Sequence, residues 1–404
     1  MLGPGILYAA MAVGVSHLVQ STRAGAVYGL AMATFIVVIV IVKYPGLCFG
    51  AQYTAATGKS LPENYLEQGW WAAALYLGST LFGMWFALAA ITLTTAGLVL
   101  SVAGLQMDAL PVSGGLLAVT AALLIAGRYQ WLESLSKLLV LLLALLVIVA
   151  TALALPRVTW QAERFVLSEF DAAAALFVVA MVGWMPTPME GALLTSVWTR
   201  SRQEDRGLNV SAQASRFDFN VGYVVALVLA LGFLVLGVAV MYEPGINPEN
   251  SPGGFTSQVI RLFTETMGGW AFYIIGACAL AAMFTTLLAA MDGFPRQFVY
   301  VLQHVRRKDT PGWVYPVLIA VYGAGAYAVM ATLMTSFTQL INFATSLGFV
   351  TAPIFAVLNH RAMFSGEVPA EYAPGSVLKI WSFAGIVLLT VASLAYFYFL
   401  LLYA

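Results

Sequence analysis

Long apolar stretches set the terms for this chain. Eleven of them run almost end to end, at about 5–28, 30–56, 70–103, 110–128, 131–155, 172–199, 219–242, 268–300, 313–334, 337–363 and 377–403. A helix of roughly 20 apolar residues is what crosses the hydrocarbon core of a bilayer. Only 9% of the 404 residues are charged and 61% are hydrophobic, against about 25% and 45–50% in soluble chains. Stretches this apolar on every side exclude a soluble enzyme, a disordered chain and a secreted disulfide scaffold. They specify an all-α polytopic membrane protein. The longest joining segments, near 156–171, 200–218 and 243–267, are too short for a soluble domain. Zero net charge predicts no nucleic-acid partner. Cys48 and Cys278 lie in apolar stretches and are expected to pack as small hydrophobes.

Basic residues orient such a chain. One set of loops and loop-proximal ends holds Lys59, Arg128, Lys137, Arg200, Arg202, Arg206, Arg216, Arg296, Arg306, Arg307, Lys308, Arg361 and Lys379. The other set holds Arg157, Arg164 and Arg261. The asymmetry predicts a cytoplasmic N-terminus, an extracellular C-terminus and an odd number of spans. The N-terminus lacks the basic region of a cleavable signal. A prokaryotic plasma membrane is the expected location.

Two spans carry sequence that interrupts a helix at mid-membrane. The first reads Met11-Ala-Val-Gly-Val-Ser-His-Leu-Val-Gln20, with Gly14, Ser16 and His17 at its centre. The sixth reads Val182-Gly-Trp-Met-Pro-Thr-Pro-Met-Glu190. Pro186 and Pro188 each remove an amide donor and clash with the preceding turn. The breaks occupy the first helix of two consecutive blocks of five. That is the pattern of an inverted five-plus-five repeat with a binding site at the bilayer midplane. The first repeat is expected over about 1–155 and the second over about 172–363, with an extra helix at about 377–403.

Several segments carry a resemblance. Gly3-Pro4-Gly5, the run from Gly14 to Gly29, Ala51-Gln-Tyr-Thr-Ala-Ala-Thr-Gly58 and Met185-Pro186 resemble the natural resistance-associated macrophage protein (NRAMP) family; Phe284–Gly293 matches more weakly. The resemblance implies a LeuT-type fold of eleven transmembrane helices with helices 1 and 6 broken, and proton-coupled import of divalent transition metals. Family members place Asp-Pro-Gly-Asn at the first break, where this chain has Gly14, Val15, Ser16 and His17. They place Met-Pro-His at the second, where this chain has Met185, Pro186 and Thr187. The metal-binding carboxylate and one histidine of the family are therefore absent.

A cavity stripped of that carboxylate and supplied with donors favours an anion. Ser16, Thr187, Gln20 and His17 offer hydrogen bonds, half-helix N-termini carry positive partial charge, and Arg23 lies about 9 Å further along span 1 at 1.5 Å per residue. The expected cargo is therefore a small anion of bicarbonate or carboxylate size, or a small polar solute. A divalent metal held by the soft pair His17 and Met185 is the alternative, and a transport-dead sensor a second one. Gln339, Asn342 and Thr345 recur every three residues and would line one face of span 10. The expected substrate set is thus Gly14, Ser16, His17, Gln20, Met185, Thr187, Gln339 and Asn342, with His17 and Glu190 as proton carriers.

Other intramembrane charges have expected partners. Lys43 is expected either to close the carbonyl gap left by Pro45 or to pair with Glu133 or Asp292. Arg23 has Asp108 as a candidate partner, and Arg128 and Glu133 frame the turn between spans 4 and 5. No HExxH, no plausible triad among His17, His304 and His360, and no ATP-binding loop is present. The expectation is a secondary transporter that needs no cofactor; neither an enzyme nor a channel fits.

Overall fold

The computed structural model describes residues 8–9, 12–127, 130–167, 169–206, 211–333 and 336–403. Gly3, Pro4, Gly5, Met11 and Arg128 lie outside the described residues, as do the side chains of Glu133, Lys137, Arg202 and Arg206. The described residues contain helices and no strand. A π-helical stretch, Ser16–Ser21, leads into α1 (Thr22–Tyr28). It is followed by α2 (Ala31–Thr57), a short α3 (Leu61–Glu67), α4 (Trp70–Ala103), α5 (Ala109–Ala126) and α6 (Gln130–Ala154). The second half comprises α7 (Ala172–Trp184), α8 (Gly191–Arg206), α9 (Ala212–Gly237), α10 (Pro252–Met267), α11 (Ala271–Arg306), α12 (Val314–Leu333), α13 (Phe337–Met363) and α14 (Ser376–Tyr403). Nine helices among the described residues are long and apolar enough to cross a membrane. Two helices come from segments read as loops. Short α3 follows a capping box at Ser60 and Glu63. Amphipathic α10 buries Phe255, Val259, Leu262 and Phe263 against the bundle.

Lipid has no water to satisfy a freed backbone group, so each proline inside a span needs a donor from a neighbour. Pro45 frees the carbonyl of Ile41 in α2, and the Trp381 indole N–H of α14 donates to it at 2.9 Å. Pro353 frees the carbonyl of Phe349 in α13, and the Ser393 hydroxyl of α14 lies 3.5 Å away. The last helix therefore closes two proline gaps. Lys43 does not close the Pro45 gap, and its ammonium points elsewhere. The other face of α14 (Val377, Ile380, Phe383, Val387, Val391 and Leu394) is exposed, as expected of a lipid-facing stripe.

The two halves of span 6 are held by close backbone approach. A Cβ on Gly183 would overlap the Thr345 carbonyl oxygen of α13, and one on Gly50 of α2 would overlap the Ala192 carbonyl oxygen of α8. Small residues allow this in membranes, where packing rather than hydrophobicity drives helix association. At one end of the bundle Lys59 bridges Glu67 (2.8 Å) and Glu367 (3.0 Å), and the Tyr53 hydroxyl donates to Glu367 at 2.7 Å. Burial pushes the Glu367 carboxyl up, but bonds from Tyr53 and Lys59 outweigh it and hold it down at about 2. Asp292 is paired with Arg296 at 2.7 Å and accepts from Tyr315, and it is not joined to Lys43.

Two outcomes are expected. Trp381→Phe keeps the ring stacked on Tyr44 but orphans the Ile41 carbonyl. It should destabilise the protein by about 1–3 kcal/mol, read as a lowered Tm in detergent. Glu367→Gln should lower Tm at neutral pH. A group with a depressed folded value stabilises above its unfolded value and loses that contribution on protonation. The gap to wild type should therefore persist down to about 4.5 and close towards about 2.

Candidate functional site

The first break is a turn at Val13 and Gly14 followed by the π-helical stretch, so span 1 is widened rather than unwound. The Gly14 carbonyl accepts from the amides of His17 (3.2 Å) and Leu18 (3.0 Å). Ser16 Oγ lies 2.6 Å from the Ala12 carbonyl oxygen and 3.1 Å from that of Pro186, joining the two breaks. The His17 ring is fully buried. Its Nε2 lies 2.8 Å from the Ala226 carbonyl oxygen, which only accepts, so Nε2 carries the proton. Its Nδ1 lies 3.0 Å from Ser16 Oγ. Both ring nitrogens thus already have protein partners.

The second break runs through 185–190, between α7 and α8. Met185 is extended and buried. The Thr187 hydroxyl meets the Tyr8 hydroxyl at 3.1 Å. Pro186 has no amide for the Val182 carbonyl, and the end of α7 leaves the Gly183 carbonyl free as well. The Lys43 ammonium, fully buried, takes both at 2.9 and 3.1 Å and adds the Thr187 carbonyl at 2.6 Å.

Helix α13 joins the two breaks along one face, one turn lower than expected. Asn342 Oδ1 accepts from Arg23 (2.9 Å), Thr345 Oγ1 from Gln20 (3.2 Å), Gly348 packs under the Trp184 ring, and Thr351 donates to Glu190 Oε1 (2.8 Å). Gln339 is exposed at the start of the helix. Arg23 also donates to Gln20 (3.3 Å) and lies over the Phe177 ring. It does not meet Asp108, which caps α5 through the Leu110 amide at 2.8 Å.

Two cavities flank the second break. One, of about 70 Å³, is lined by Ser16, Thr187, Glu190 and Thr286 among apolar side chains. The other, of about 40 Å³, is lined by Thr80, Glu190 and Thr351 among others. Glu190 belongs to both, and its Oε2 is buried with no hydrogen-bond partner; Thr80 Oγ1 is likewise unpartnered. Neither His17, Arg23, Gln20 nor Met185 lines either cavity. Of the expected residues the structure gathers Ser16, Thr187 and Glu190 around one space, and places Gln20, Arg23 and Asn342 in a separate latch. Sequence reasoning missed Tyr8, Thr351 and the role of Lys43. A lone lysine in an apolar span was the available signal for the last.

The natural resistance-associated macrophage protein-like family model matches residues 5–399. This chain belongs to the NRAMP family. An uncharacterised protein of Pasteurella multocida is 32% identical over 372 residues, covering 91% of this chain and 85% of the other. Among solved structures, the Eremococcus coleocola manganese transporter superposes with a TM-score of 0.68 at 14% identity, over 97% of this chain and 85% of that one. MhsT bound to L-phenylalanine gives 0.65 at 14% identity, over 96% and 98%. Mhp1, a nucleobase-cation-symport-1 family transporter, gives 0.59 at 14% identity, over 98% and 92%. These likenesses establish the LeuT-type transporter fold. The NRAMP-family chain is an integral membrane transporter whose substrate class is a small ion.

Proposed function

We propose that this NRAMP-family chain is a secondary transporter of a small, oxygen-preferring divalent cation, Mn²⁺ first, and that Glu190 is its anionic ligand. The supporting observation is the buried, unpartnered Oε2 of Glu190 shared by both cavities. An open carboxylate oxygen in a low-dielectric interior is stabilised by a cation or a proton and repels an anion. The anion expectation rested on the half-helix N-termini and on Ser16, Thr187, Gln20, His17 and Arg23; of these, His17, Gln20 and Arg23 have their polar atoms taken up by Ala226, Ser16, Thr345 and Asn342. Family membership and the manganese transporter among the structural neighbours support the same direction.

No group of three His, Cys, Asp or Glu side chains suited to a metal occurs among the described residues. One carboxylate with the hydroxyls of Ser16, Thr187 and Thr286 suits a hard cation that keeps part of its water shell. About 70 Å³ leaves room for an ion and one or two waters at roughly 30 Å³ each. Proton and cation compete for the same oxygen, which makes Glu190 the coupling group as well.

Purified protein in liposomes should take up Mn²⁺ in a saturable manner. Glu190→Gln should cut that uptake at least tenfold at wild-type stability. His17→Ala, which removes two buried bonds, should lower Tm and leave the Mn²⁺ Kd within about threefold. Saturable bicarbonate or carboxylate flux without Mn²⁺ or Mg²⁺ flux would overturn the reading.

A further inference from the structure

The end of α7 is a cation site by construction. Helix C-terminal carbonyls carry negative partial charge. In broken transporter helices such carbonyls, together with unwound backbone, are where a coupling cation binds. Here three such oxygens, from Val182, Gly183 and Thr187, converge within hydrogen-bond distance of one nitrogen, Lys43 Nζ. Lys43 comes from a different helix and is fully buried. An ammonium has three donors and no acceptor, so donors and acceptors match one to one. Among the described residues no carboxylate lies within salt-bridge distance of it, and Glu190 acts on it only through space. The carbonyls are its partners.

We infer that Lys43 is a built-in cation: its ammonium fills the carbonyl cluster at the break of span 6 that a free monovalent cation would otherwise occupy, so that the transporter holds this break without a bound coupling metal. The cluster and the Glu190 oxygen are distinct positions. Thr187 turns its carbonyl to Lys43 and also borders the cavity that Glu190 shares. The cargo therefore has no access to these three carbonyls. Their orientation is fixed before cargo arrives, and α2 is tied to the end of α7 and to the break that follows it. Arginine would not substitute, because a planar guanidinium does not direct three donors from one atom.

The test reads thermal stability without cargo, so it stands or falls separately from the Glu190 reading. Purified protein is melted in detergent at fixed ionic strength with choline, sodium, potassium or methylammonium chloride. Wild-type Tm is expected to be the same in all four within about 1 °C. Lys43→Ala should melt lower in choline and recover at least half of the difference with millimolar methylammonium or sodium, which re-enter the vacated cluster. Saturable stabilisation of wild type by sodium or potassium would overturn the inference, because the cluster would then be open to free cations. If Lys43→Ala does not fold, Lys43→Met decides. Wild-type stability of that variant in choline would refute the inference, since a thioether satisfies none of the three carbonyls; a lowered Tm supports it.

Discussion

A span cannot break in a membrane unless the polar groups it frees find partners inside the protein. Water would satisfy them in a soluble chain; lipid leaves each one at a cost of several kcal/mol. At the second break the Lys43 ammonium takes three carbonyls and Ser16 approaches the Pro186 carbonyl. At the first, a π-helical stretch keeps most of the backbone internally bonded. Ser16 belongs to the first break and reaches the Pro186 carbonyl of the second, so the two breaks are joined. The cavities beside them inherit their shape from that junction.

The polar inventory of the core divides in two along α13. Towards its start, Asn342 and Thr345 receive Arg23 and Gln20; nine residues on, or about 13 Å at 1.5 Å per residue, Thr351 receives Glu190. The first group is fully engaged, cation with amide oxygens, and makes a closed contact between the first and tenth spans. The second leaves one carboxylate oxygen open.

Much of the fold was legible because bilayer thickness is a hard ruler. The apolar stretches at 70–103 and 337–363 coincide with helices Trp70–Ala103 and Phe337–Met363. Prolines 186 and 188 locate the second break at 185–190. The first break was placed correctly, but its form was not: Gly14 and Ser16 signal irregularity without saying that the helix widens into a π turn. Helix α10 hid in a loop because its apolar face is only half of its surface. The candidate site was less legible. His17, Arg23 and Glu190 are all polar residues near a break, and nothing in their spacing says which has a spare atom. That is decided by partners far away in sequence: Ala226 for His17, Asn342 for Arg23, and Thr351 for only one of the two Glu190 oxygens.

The sign proposed for the cargo rests on that difference rather than on a count of charges. By composition the core near the breaks looks cationic, with Lys43, Arg23 and His17 against Glu190. Yet a buried charge acts on a ligand only through what its own partners leave uncompensated. Lys43 is compensated by three carbonyl dipoles and Arg23 by two amide oxygens, while Glu190 has the Thr351 hydroxyl on one oxygen, its own backbone amide and the through-space charge of Lys43, and its Oε2 accepts no side-chain hydrogen bond. The space beside the break is therefore bordered by one carboxylate oxygen with no hydrogen-bond partner. On the proposed reading, a first break without a carboxylate does not make this a site for anions. The carboxylate nearest the breaks is Glu190, at the end of the second break, where Lys43 takes the backbone carbonyls.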